Sequence, residues 1–269
     1  MLTVAACGKT ARILPAETIS NIAYGSDPKQ VFDIYLPAGR SAAATKVMFL
    51  FHAGSWSGGD KADFLFYIDS LRKYLPGYAF VNVNYRLANF TVNKFPTQEN
   101  DVRAAVNFVM NKQDEYEISE DVVMLGASAG AHLALLQAYK YSDTIKVKAV
   151  VSFFGPTDIT EMYNNPANSQ IPYWLQVLLG GTPDQNSGIY KSSSPINFVT
   201  EDSAPTLMFQ GGKDPLVSTS QATALKKKLD ASGVSNQVVL YANEGHGWIG
   251  STLTDSFQKI SQFLSQYVK

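Results

Sequence analysis

The chain has a single cysteine, Cys7, among 269 residues. No internal disulfide can form, and a cysteine-based zinc cluster is excluded with it. Only three histidines are present, so any imidazole that moves a proton must be His52, His132 or His246. Neither sign of charge is in surplus: 22 Lys and Arg stand against 23 Asp and Glu, a net charge of −1. The electrostatic footprint of a nucleic-acid or anionic-membrane surface is therefore missing. No apolar run approaches the roughly 20 residues of a membrane-spanning helix. Internal repeats, low-complexity tracts and long linkers are also absent.

What is present is core material. Hydrophobic residues make up 45% of the chain and charged residues 17%, which excludes wholesale disorder. The densest charge run, "LKKKLD", reads as the wet face of one helix. Short apolar, β-branched or aromatic runs recur at 31–37, 46–52, 79–85, 121–127, 148–154, 204–211 and 236–242. "KVMFLFH" (46–52) is almost continuously apolar, as for a strand buried on both faces. Helical patterns lie between the runs, at 61–75, 96–112, 129–140, 217–233 and 252–269. Pro96 suits the first turn of the second of these. Repeated strand–helix units predict an α/β fold, a mostly parallel sheet with helices on both faces. The stretch 157–203 breaks the rhythm, is rich in Asn, Pro, Ser and aromatics, and reads as a small cap insert.

Residues 1–20 read as an N-terminal tail and 21–269 as one domain. Within the tail, "VAAC" resembles the lipobox of bacterial lipoprotein signals, although a basic start and an apolar stretch of about 7–15 residues are missing. If the segment is a signal remnant, the protein is secreted, periplasmic or lipid-anchored; otherwise it is cytoplasmic.

The chemistry is concentrated in "LGASAGAHLA" (125–134). Gly126-Ala127-Ser128-Ala129-Gly130 is a G-x-S-x-G pattern at a strand-to-helix junction. Its glycines remove side chains that would collide in a sharp turn, leaving the Ser128 hydroxyl exposed. Serine is a weak nucleophile and needs an adjacent base, which in turn needs an orienting acid. His246, in "NEGHGWIG" after the last strand, is assigned as the base. His132 reads as a packing or capping residue and His52 as a loop-shaping one. Asp214, in "FQGGKDPLV" directly after a strand, is assigned as the acid, with Asp158 and Glu244 as competitors. The chain order Ser128, Asp214, His246 is that of α/β-hydrolases. "HAGSW" (52–56) follows the buried strand as the HGGG-type loop does in lipases and esterases. The backbone N–H groups of Gly54, Ser55 and Ala129 are the candidate oxyanion donors.

These segments, together with "NIAYGSDPKQVFDIYLP", "VNVNYRLA", "FPTQENDVRAAVNFV" and "FFGPTDIT", resemble the α/β-hydrolase esterases and lipases. That group includes hormone-sensitive-lipase-like carboxylesterases and bacterial feruloyl or acetylxylan esterases. The resemblance covers most of the chain. It implies a serine carboxylic ester hydrolase, free of metal and cofactor, that works through an acyl-serine intermediate. Ser128 would be nucleophile, Asp214 orienter and His246 base. The match is not complete. The family's HGGGW run reads His52-Ala53-Gly54-Ser55-Trp56, so two glycines carry side chains, and a positive φ at either would add strain. "YRLA" continues with Asn89-Phe90 rather than Pro-Glu, which favours the feruloyl or acetylxylan branch or a generic esterase.

Trp56, Trp174 and Trp248 are candidate substrate contacts, as loop or insert aromatics near the expected pocket. The expected partner is a small-molecule or saccharide-linked ester, with no nucleic acid and no membrane span, on a monomer or dimer. Two alternatives remain open. One is an amide hydrolase of the arylformamidase or peptidase kind. The other is a hydrolase-like binding module with weak turnover, kept alive by the altered "HAGSW" loop.

Overall fold

The computed structural model describes residues 13–269, so Cys7 and the lipobox-like segment lie outside the described residues. The described residues form eight strands: β1 (Glu17–Ala23), β2 (Val31–Leu36), β3 (Lys46–Phe51), β4 (Tyr78–Val83), β5 (Val122–Ala127), β6 (Val147–Phe153), β7 (Thr206–Gly211) and β8 (Asn236–Tyr241). Their order across one sheet is β1-β2-β4-β3-β5-β6-β7-β8. β1, β2 and β4 pair antiparallel, and every pairing from β4 through β3 to β8 is parallel.

Among the described residues, nine α-helices accompany the strands: α1 (Leu65–Tyr74), α2 (Thr97–Met110), α3 (Gln113–Tyr116), α4 (Ala129–Lys140), α5 (Ile159–Asn164), α6 (Ile171–Leu179), α7 (Ser187–Ser192), α8 (Thr219–Ala231) and α9 (Gly250–Tyr267). The apolar run of β3 feeds two cores by simple alternation. Val47, Phe49 and Phe51 point into a core shared with α2, α4 and α8. Met48 and Leu50 point into a second core under α1 and α9. A strand buried on both faces has to be apolar at every position, which is why its sequence does not alternate. Among the described residues, no helix is long and apolar enough to cross a membrane.

All seven expected strands are present, and an eighth was not foreseen. β1 starts at Glu17, inside the stretch read as tail. It is an edge strand whose Glu17, Thr18, Ser20, Asn21 and Ala23 are exposed, so it carries almost no burial pattern to read. Between β6 and β7 the chain forms α5, α6, α7 and a 3-10 turn at Pro195–Phe198, within the expected insert.

Two buried acids fix the β4–α2 connection. Asp101 takes Arg86 side-on, with Nη2 at 2.6 Å and Nε at 2.9 Å. Glu99 pairs with Lys140 of α4 at 2.7 Å. Each buried carboxylate thus has a cationic partner at hydrogen-bond distance, one tying the β4 exit to α2 and the other tying α2 to α4.

Candidate active site

Because β3, β5, β6, β7 and β8 run parallel, their carboxyl ends share one edge of the sheet. Loops at that edge are where open α/β sheets place their ligands. The loop after β3 carries Gly54 and Ser55, the turn after β5 Ser128, the loop after β7 Asp214 and the loop after β8 His246.

Ser128 sits at φ 52°, ψ −118°, a strained conformation for a residue with a Cβ. The turn is locked on both sides. Ser128 N–H donates to the Phe153 carbonyl at 2.8 Å, and its own carbonyl accepts from His132 N–H at 3.0 Å. A Cβ on Gly126 would lie 2.3 Å from Gly130 C, and one on Gly130 would lie 2.0 Å from the Phe51 carbonyl oxygen. The two glycines are therefore required by close approach: β5 runs directly into α4 with β3 pressed against the junction.

Three chain-distant groups meet at this edge. His246 Nε2 lies 2.9 Å from Ser128 Oγ, and His246 Nδ1 lies 2.8 Å from Asp214 Oδ2. Asp214 is fully buried as a side chain. Burial pushes its carboxyl pKa up, but the hydrogen bond from His246 and those from the backbone of Val217 and Leu216 outweigh burial and hold it below the ordinary value. A charged Asp214 accepts from Nδ1–H and leaves the Nε2 lone pair facing Ser128. The Phe154 ring backs the imidazole at 4.5 Å between centroids. The competing acids are engaged elsewhere. Asp158 caps α5 by accepting from Glu161 N–H, and Glu244 accepts from the Thr252 hydroxyl.

Of the two substituted glycines in the β3 loop, only one is strained. Ser55 has φ 50°, and Trp56 beside it has φ 60°; Ala53 stays at negative φ. Gly54 has φ 123°, and a Cβ there would lie 2.1 Å from the Gly58 carbonyl oxygen. Among the described residues, the N–H groups of Gly54, Ser55 and Ala129 have no hydrogen-bond partner.

The structure separates the three tryptophans. Trp56 and Trp174 line a cleft of about 120 Å³ that also contains Ser128 and Ser55. Trp56 is buried there, donating its indole N–H to His132 Nδ1 at 3.1 Å. Trp248 does not line that cleft; it lies buried beyond His246, its indole N–H donating to Ser256 Oγ at 2.9 Å, and lines a separate apolar cavity of about 250 Å³ together with His246 and Phe154. Its indole packs edge-on to Phe154 and Tyr241.

One contributor, Gln210, was not read from the sequence. Gln210 Nε2 donates to Asp214 Oδ2 at 3.1 Å and to the Val217 carbonyl at 3.0 Å. A polar residue in the fully buried strand β7 was the available signal. His132 links the β3 loop to the insert: Nδ1 accepts from Trp56 and Nε2–H donates to the Ser193 carbonyl at 2.6 Å. Burial pushes its pKa down to about 4, so it stays neutral. His52 stacks on Tyr85 at 4.2 Å and shapes the same loop.

The family model BD-FAE matches residues 32–229, well over half of the chain. The chain belongs to the BD-FAE family. It has the α/β-hydrolase fold. A truncated carbohydrate esterase from gut microbiota superposes on this BD-FAE chain with a TM-score of 0.80, 26% identity, and coverage of 94% of this chain and 96% of that one. A bifunctional GH43-CE protein of Bacteroides eggerthii gives a TM-score of 0.80 at 25% identity, over 94% of this chain and 38% of its own. Among curated proteins, esterase LipC of Mycobacterium tuberculosis is 24% identical over 91% of this chain and 64% of its own length. Esterase LipQ of the same organism is 27% identical over 82% of this chain and 54% of its own. The BD-FAE chain thus spans between 54% and 64% of the length of these two relatives.

Proposed function

We propose that the protein is a serine carboxylesterase. The observation that carries this reading is the unbroken line of contacts from Ser128 Oγ to His246 at 2.9 Å and from His246 to Asp214 at 2.8 Å. His246 Nε2 takes the Ser128 proton as Oγ attacks the ester carbonyl carbon. The carbonyl electron pair moves to its oxygen, facing the free N–H groups of Gly54, Ser55 and Ala129. Collapse of this intermediate breaks the ester C–O bond, and His246 returns the proton to the leaving alcohol. Water, deprotonated by His246, then cleaves the acyl-serine and releases the acid. Asp214 holds the imidazole in the required tautomer and stabilises the imidazolium.

The small volume of the cleft, about 120 Å³, supports short acyl or aryl esters. The esterase names of LipC and LipQ, and the carbohydrate esterase among the structural neighbours, support ester substrates. Acetyl or feruloyl groups on plant polysaccharide are the substrates we put first. Purified protein should release p-nitrophenol from its acetate ester, and Ser128→Ala should abolish the release. Undiminished turnover by that variant would overturn the assignment.

Amide cleavage is the second reading, because the same attack serves a C–N bond. Kynurenine formamidase of Salmo salar is 26% identical over 63% of this chain. Parallel rates on aryl acetates and N-formylkynurenine separate the two.

A further inference from the structure

Three exposed aromatic rings form a row that ends at the Ser128 cleft. Phe90 is 61% exposed, Tyr173 53% and Trp174 49%. The Phe90 and Tyr173 centroids are 6.4 Å apart, and those of Tyr173 and Trp174 5.5 Å. Trp174 continues the row into the cleft that holds Ser128. Contiguous large apolar side chains left in solvent mark a contact surface.

The row is held in place by structure that has no other need of it. Helix α6 already buries Ile171, Leu175, Leu178 and Leu179, so Tyr173 and Trp174 are surplus to its packing stripe. The Phe90 loop is internally hydrogen-bonded. Asn89 Oδ1 accepts from Thr91 N–H and Val92 N–H, both at 2.9 Å. Gln98 Nε2 ties the carbonyls of Arg86 and Asn93 at 3.0 and 2.7 Å. A preorganised surface loses little on binding.

The polar side chains that line the cleft with Trp174 are uncharged: Ser55, Ser128, Asn168, whose Nδ2 donates to the Pro215 carbonyl at 2.7 Å, and Gln170. Flat rings next to neutral donors and acceptors suit a neutral polyhydroxylated ligand, whose C–H faces cover the rings while its hydroxyls pair with amides.

We propose that Phe90, Tyr173 and Trp174 form a stacking platform for the neutral saccharide chain that carries the ester. The sugar units lie along the rim while the acyl group enters the cleft at Ser128. This rests on the esterase reading and names the recognition surface for its substrate.

The test uses the full chain bearing Ser128→Ala, titrated with xylohexaose, cellohexaose and mannohexaose by calorimetry and tryptophan fluorescence. At least one of these should bind saturably, and adding Phe90→Ala with Tyr173→Ala should weaken that binding by roughly tenfold. In the Ser128 enzyme the same pair of substitutions should lower kcat/KM on acetylated xylan by roughly tenfold relative to p-nitrophenyl acetate. Binding of none of the three sugars, or an equal loss on both substrates, overturns the proposal. So does binding to phosphatidylcholine–phosphatidylglycerol vesicles that the double substitution removes while sugar binding is absent. If the sugars bind but no ester is cleaved, the platform stands and the esterase reading has failed.

Discussion

Replacing Asp214 by Asn keeps the shape of the side chain and removes its charge, and the surrounding hydrogen bonds decide the consequence. Oδ1 accepts from the backbone N–H groups of Leu216 at 2.8 Å and Val217 at 2.9 Å. Oδ2 accepts from His246 Nδ1 at 2.8 Å and Gln210 Nε2 at 3.1 Å. All four neighbours donate, whereas an asparagine amide offers one accepting oxygen. If the amide NH2 faced the two backbone groups, two donors would lose their acceptor, at about 1–3 kcal/mol each. The favoured orientation therefore keeps oxygen on the backbone and turns NH2 toward His246. Nδ1 must then accept, which moves the ring proton to Nε2, where it points at Ser128 Oγ. An imidazole in that tautomer cannot take the hydroxyl proton. The expected loss in kcat is about 10⁴-fold, or about 5.5 kcal/mol of barrier. KM should move far less than kcat, because the lost interaction belongs to the transition state. Initial rates on p-nitrophenyl acetate measure this, with a thermal melt to show that the variant is folded. A folded Asp214→Asn protein within tenfold of the parent rate would refute the reasoning.

Three further outcomes follow from the geometry. Ser55→Gly relieves a left-handed residue at φ 50° and should raise stability by about 0.5–1 kcal/mol in urea titration, once the added chain entropy is deducted. Gly130→Ala drives a Cβ to 2.0 Å from the Phe51 carbonyl oxygen, and should cost about 3 kcal/mol or more in the same assay, or prevent folding. His132 gives a pH signature: its pKa falls from 6.5 to about 4 on burial, so the unfolded chain binds the extra proton between those values. Its contribution to stability is complete above about pH 6.5 and is lost as pH falls toward 4, by up to about 3 kcal/mol. Denaturant titrations at pH 7 and 4.5 should show a smaller drop for His132→Gln than for the parent chain.

The parallel strands were legible because burial on both faces leaves continuous apolar runs such as "KVMFLF". The order of Ser128, Asp214 and His246 was legible because each follows a strand whose carboxyl end shares one edge. β1 was not, since an edge strand with only Ile19 and Ile22 half-buried leaves no periodic trace. The burial of Trp248 was not legible because Phe154, against which its indole packs edge-on, is distant in sequence. The positive φ of Ser55 was raised only as a condition: the sequence names the side chain, while the fold around Gly54 and Gly58 sets the torsion. The tie from His132 through Trp56 and Ser193 joins three segments far apart in the chain, and local pattern has no access to such contacts.

The central claim is that the hydroxyl at 128 is activated. Incubation with a fluorophosphonate probe, followed by intact-mass and peptide mass spectrometry, tests it without reference to any substrate. One adduct per chain, mapped to Ser128 and lost in His246→Gln, is the predicted result. An unlabelled protein, or an adduct on another residue, contradicts the account.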